Sequence, residues 1–257
     1  MRRASTCVAV MALAILALVS AASAAPTVTF KAKPVPIPGF KGTGNILGAG
    51  AALETEFTIK GNEYGGYPPP LIGVKVDLPT GTKLHTTGFP TCPQELIEAK
   101  EPEKCPKKSA AGPPGFAEGF VVFGTERVPE TVSVEGFYSA TGGLNFVVLG
   151  HTPASIEIVS VGRYTNLNGG GGFGPEATFA VPLVQTVPGA ADASTEKIVA
   201  KLGSAIKKGK ETIYYGRLPK KCHGSLSVKA ELTFAENGDE ATPVTVPISY
   251  SEPCPRK

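Results

Sequence analysis

The chain carries three histidines, His85, His151 and His223, and each tests whether acid–base or nucleophilic chemistry is written into it. A serine–histidine relay needs its histidine beside a nucleophile and an orienting acid. None of the three stands in such a context, and the GxSxG elbow does not occur. Neither HExxH nor any other paired-histidine ligand spacing occurs. Asp77 closes a strand-like run and His85 lies just past the next turn, so this pair is the first place to look for a catalytic couple. Glu54 and Glu56 offer two carboxylates, but they alternate with Leu53, Thr55 and Phe57, as the solvated face of a strand does. Gly42-Thr-Gly44 and Gly48-Ala-Gly50 have the spacing of phosphate loops without the Lys-Ser/Thr that completes one. They read as turns, and no cofactor is expected.

Binding chemistry has more to offer. Residues 197–221 hold eight cations, Lys197, Lys201, Lys207, Lys208, Lys210, Arg217, Lys220 and Lys221, against the single acid Glu211. Such a run makes a local positive field that draws anionic polymers or lipid headgroups. The plainer account is a solvated edge strand whose lysines block sheet-to-sheet aggregation. Tyr64-Gly-Gly-Tyr67 ahead of three prolines puts two rings on a stiffened loop, where they either stack on a ligand or fold down as part of a turn.

The cysteines are structural in their spacing. Cys7 falls inside the amino-terminal leader, which leaves Cys92, Cys105, Cys222 and Cys254. An even count in an oxidising compartment reads as two disulfides, and four cysteines permit three connectivities. Sequential pairing, Cys92 with Cys105 and Cys222 with Cys254, is chosen because each pair flanks one compact unit. Neither gap has the close CxxC spacing of a structural zinc site, so no metal is expected.

These residues need elements to hold them. Residues 1–24 combine Arg2 and Arg3, an apolar core over residues 11–19 and the small residues Ala22-Ser23-Ala24, the pattern of a cleaved export signal. The apolar core is shorter than the roughly 20 residues of a membrane span, so the product is expected to be secreted without a stable anchor. Losing two arginines takes the 25 basic and 22 acidic residues to 23 and 22. That near-neutral balance gives little drive toward nucleic acid.

Glycine and proline together make up about a fifth of the chain and punctuate apolar, alternating runs. Residues 53–60 and 71–78 alternate cleanly, and further strand-like runs cover 116–123, 131–138, 144–149, 155–164, 176–187, 212–218, 225–234 and 243–250. The last two meet through Asn237-Gly238, a strong hairpin signal. Residues 33–38 are too rich in proline for a central strand. Residues 194–210 fit a helical stripe or an alternating strand equally well. The expected fold is all-β, with sandwich-like antiparallel sheets in one or two units. A short helix is expected inside the Cys92–Cys105 loop and another in the leader. The expected regions are 25–166, a glycine-rich linker or loop over 167–175, and 176–257.

A Val-Asp-Leu-Pro run is followed by a Cys-Pro, a short polar helix and a second Cys-Pro with Ser109. Later come Leu218-Pro219 with Cys222, the alternating run from Val228 to Phe234, and a closing Pro253-Cys254-Pro255. This arrangement resembles secreted, β-rich actinobacterial proteins of unassigned function, over most of the chain past the leader. His223 stands where that pattern has proline. The resemblance implies an exported sandwich-like body, extended structure over residues 194–210, and no catalytic residue. The expected function is a secreted, non-catalytic envelope or extracellular protein that works by surface contact with an anionic cell-wall polymer or a protein partner. The rival is a secreted hydrolase or carbohydrate-binding module whose acids converge only in three dimensions.

Overall fold

The computed structural model describes residues 25–99 and 101–255; the predicted leader, residues 1–24, lies outside the described residues. The strands are β1 (Thr27–Val35), β2 (Ala52–Lys60), β3 (Leu71–Pro79), β4 (Lys83–Leu84), β5 (Gly115–Phe123), β6 (Glu126–Tyr138), β7 (Leu144–Gly150), β8 (Ile156–Asn166), β9 (Phe173–Ala180), β10 (Ser194–Leu202), β11 (Ala205–Lys208), β12 (Glu211–Tyr214), β13 (Gly216–Arg217), β14 (Ser225–Ala235) and β15 (Pro243–Pro253). One short helix, α1 (Gln94–Glu98), sits inside the Cys92–Cys105 loop, as expected.

Eleven strands form one antiparallel sheet in the order β1-β2-β10-β5-β6-β7-β8-β9-β3-β14-β15. The two ends of that order come together, with β1 lying against β15. There Phe30 meets Tyr250 edge-on at 6.4 Å. The sheet therefore curls over on itself, and its facing sides give the sandwich-like layering around one interior. Pro34 in β1 and Pro247 in β15 lack ladder donors, which suits them to these two end strands.

Alternation decides which side chains enter the interior. In β2, Phe57 and Ile59 are buried, while Glu54 and Glu56 face outward. On that outer side Glu54 bonds Lys33 at 2.8 Å and Lys201 at 2.7 Å, and Glu56 bonds Lys31 at 3.1 Å. Residues 194–210 resolve into β10 and β11. β10 is held by ladders to β2 on one edge and β5 on the other, so a helical stripe has no place there.

The run expected over residues 176–187 needs correction. β9 stops at Ala180, Pro182 has no N–H to continue the ladder, and Val184 turns inward against the cluster of Val121 and Ile156. The glycine run, residues 169–172, makes the turn between β8 and β9. Strands from both sides of it alternate in the sheet: β3 sits between β9 and β14, and β10 between β2 and β5. Asn237 and Gly238, at φ 53° and 79°, turn the chain between β14 and β15 as their types require.

The disulfides pair sequentially, with Cα–Cα distances of 5.1 Å for Cys92–Cys105 and 5.8 Å for Cys222–Cys254. The first presses its loop onto the outer face of β6 and β7, where Ile97 of α1 packs with Phe137 and Val147. Asn145 donates to Gln94 there at 3.1 Å. The second ties the open end of the β14–β15 hairpin. Two disulfides suit an oxidising compartment. Among the described residues no helix is long and apolar enough to cross a membrane.

Candidate functional site: an apolar interior cavity

The curled sheet is not filled. A cavity of about 290 Å³ runs through the interior, and ten strands of the curled sheet, together with Glu252 of β15, contribute to its wall. The physical reason lies in strand number and side-chain size. Side chains fill a closed sheet of about eight strands, and more strands widen the lumen. Here eleven strands turn several small residues inward, among them Ala32, Thr55, Ala117, Ala177 and Ala200. Larger groups such as Phe57, Phe146 and Phe179 line the wall without closing the space.

One end of the cavity is stopped by aromatic rings. Tyr138 and Tyr215 lie 4.3 Å apart between centroids, and Phe89 packs on both, at 4.9 and 5.4 Å. The hydroxyls of Tyr164 and Tyr215 share a hydrogen bond at 2.5 Å, and that of Tyr138 shares one with Ser204 at 2.7 Å. Burial pushes all three phenols well above the ordinary tyrosine range. Their hydroxyls are thus spent on one another and on Ser204. Thr82, which also borders the cavity, has a buried hydroxyl with no hydrogen-bond partner among the described residues.

The other end holds a carboxyl group. Glu130 lies eight residues before Tyr138 on β6, a separation of about 26 Å along an extended strand. It is only 5% exposed and borders the cavity. Its Oε2 accepts the Ala154 N–H at 2.9 Å, while Oε1 has no partner among the described residues. A buried acceptor left unpaired costs about 1–3 kcal/mol.

Apart from Arg217, which borders the cavity, the residues singled out in the sequence do not line it. All three histidines are exposed, and His85 is engaged through its backbone N–H, which donates to the Tyr215 carbonyl at 2.8 Å. Asp77 is buried on the outer face of β3 beside Glu176. Burial holds Asp77 above the usual carboxylate range, with Glu176 adding and Lys75 opposing. Glu176 is held below that range by the Thr165 hydroxyl and the Lys75 ammonium. Neither acid borders the cavity. Tyr64 and Tyr67 close around Arg127, whose guanidinium lies 5.0 and 4.7 Å from their rings and donates to the Tyr64 carbonyl at 2.8 Å.

The basic run divides in two. Lys201 is committed to Glu54, and Lys197 lies over the Phe116 ring at 5.3 Å. Lys207, Lys208 and Lys210 stand exposed on the β11–β12 hairpin, and Lys220 and Lys221 are exposed in the loop ahead of β14. Arg217, also exposed, stacks on Tyr214 at 4.7 Å. These six belong to the tyrosine end of the cavity, where β13 pairs with β4.

Glu130 and the three tyrosines were missed in the sequence. The usable signal was phase: Glu130 shares the inward alternation of Val132 and Val134, so it is an acid on an apolar face. No family model, no curated protein and no solved structure matches this chain, so its family is not fixed by likeness and the site rests on its own geometry.

Proposed function

We propose that this is a secreted, non-catalytic binding protein that holds an apolar small molecule inside its curled sheet. The observation that carries the reading is the apolar cavity of about 290 Å³, close to the lower size of ordinary ligand pockets. The two disulfides and the signal pattern of residues 1–24 support export. The Cys-Pro loop and terminal Cys222–Cys254 unit support grouping the chain with the secreted actinobacterial proteins it resembles.

Filling the space tests the reading. Ala200 on β10 faces the cavity. The fluorescent apolar probe N-phenylnaphthylamine is expected to bind the native protein, and Ala200→Phe to weaken that binding at least about tenfold. The same variant keeps or raises the unfolding midpoint, because filling a void adds about 0.5–2 kcal/mol. Equal probe affinity in the two proteins would remove the cavity from the account.

The six exposed cations at the tyrosine end favour a second role, contact with an anionic polymer of the cell envelope. Replacing Lys207, Lys208 and Lys210 with serine is expected to make the protein elute from an acidic polysaccharide matrix at lower salt. An unchanged elution position would assign those lysines to edge protection instead.

A further inference from the structure

We propose that Glu130 is the anchor for the head of a primary-amine amphiphile whose chain occupies the cavity. This rests on the reading of the interior as a binding site and names the ligand class that the site takes. Four observations converge on it. Glu130 faces inward with Val132 and Val134 and is almost wholly withdrawn from solvent. One oxygen is fixed by the Ala154 N–H at 2.9 Å, which orients the carboxyl group and leaves Oε1 without a partner.

That oxygen is itself closed to water, and glycines flank Glu130 on both neighbouring strands. Its cross-strand neighbour on β5 is Gly119, and Gly150 of β7 lies beside it. A Cβ at Gly150 would stand 2.7 Å from Val132 Cγ1 and 2.9 Å from Oε1, so even alanine would crowd both the acceptor and the wall beside it. No cation among the described residues satisfies it either. Among the described residues no ion pair reaches Glu130, and Arg127, the nearest base on the same strand, is held by Tyr64, Tyr67 and Ser194. The rest of the wall toward the middle of the sheet is apolar, supplied by residues such as Val148, Ile158 and Phe179.

A carboxyl group that accepts, set at one end of an apolar space, selects a head that donates. An alkylamine supplies a cation with three N–H donors and a chain to lie along the wall, whereas a fatty acid would bring a second carboxyl group to the same oxygen. Charge-assisted hydrogen bonds of this kind are about twice as strong as neutral ones.

Competition against N-phenylnaphthylamine, with the full chain and its disulfides intact, separates the possibilities. Octylamine is expected to displace the probe at a concentration at least about tenfold lower than octanoate does. Glu130→Gln should bring the two to within about twofold. Gly150→Ala, which crowds Oε1 and Val132 without altering the carboxyl group, should also narrow the gap between the two. If the probe binds but octylamine has no advantage, or keeps its advantage in Glu130→Gln, the amine assignment is overturned and the interior site stands. If the probe does not enter the native protein at all, the binding-site reading falls with it.

Discussion

Raising the pH past about 10 is expected to unfold the protein in one steep step, with Tyr138, Tyr164 and Tyr215 releasing their protons only as it opens. Burial raises all three phenols in the folded state, while the unfolded chain has the ordinary tyrosine value of about 10. Below that value both states keep the protons, and the stability that these groups favour is fully present. Above it the unfolded chain loses protons that the folded chain retains, so stability falls as pH rises. Each group contributes about 1.4 kcal/mol per pH unit, and the three together about 4. A domain with about 5–15 kcal/mol to lose is then exhausted within a few pH units.

Tyrosinate absorbance followed beside far-ultraviolet circular dichroism checks this. Of the seven tyrosines, three should ionise in a cooperative phase that coincides with loss of the β signal. The double variant Tyr164→Phe with Tyr215→Phe removes two of the three protons at stake, so its transition should be shallower and move to higher pH. Smooth ionisation of all seven near pH 10 in a folded protein would show that the aromatic end of the cavity is open to water.

Much of the fold could be seen in residue order, because a strand's period of two is a local property. The alternation in β2 and β3, the Asn237-Gly238 turn and the placing of both cysteine pairs needed no knowledge of distant residues. Partner choice is not local. Nothing in residues 194–202 says that they insert between β2 and β5, and the same residues suit a helical stripe until both edges are occupied. Nor does the sequence of β7 explain its burial on both faces, which follows from the disulfide-held loop packing Ile97 against Val147.

The site was harder to see for a related reason. A cavity is a shortage of side-chain volume summed over strands that are far apart in sequence, and no single segment carries its mark. Ala32, Ala117, Ala177 and Ala200 look like ordinary small strand residues until the sheet curls and sets them around one space. Glu130 could have been noticed by extending the alternation of Val132 and Val134 two residues backward. Strand propensity ended the run at Thr131, since Pro129 and Glu130 are both poor strand formers. The basic run had the opposite fault, being conspicuous in sequence yet split by the fold into two committed lysines and six exposed cations.

If the interior is hollow in its middle and packed beyond it, two phenylalanines of equal size should have unequal value. Phe234 on β14 is fully buried, clustered with Leu71 and Leu232, and does not border the cavity. Phe179 on β9 does border it, touching Phe146 edge-on at 5.2 Å and leaving part of its surface against empty space. A side chain loses on truncation only the contacts it had, and the penalty grows with the new void. Phe234→Ala is therefore expected to cost about 3–5 kcal/mol, enough to unfold much of the protein at moderate temperature. Phe179→Ala should cost about 2 kcal/mol, at or below the low end of such truncations, because the surrounding wall already faces a void. It also enlarges the cavity and should tighten or preserve the binding of bulky apolar probes. Urea midpoints of the two variants, compared at equal slope, decide the matter. Equal losses would mean that the space beside Phe179 is occupied in solution, either by repacked side chains or by a ligand carried from the cell, and mass spectrometry of the native protein would tell those two apart.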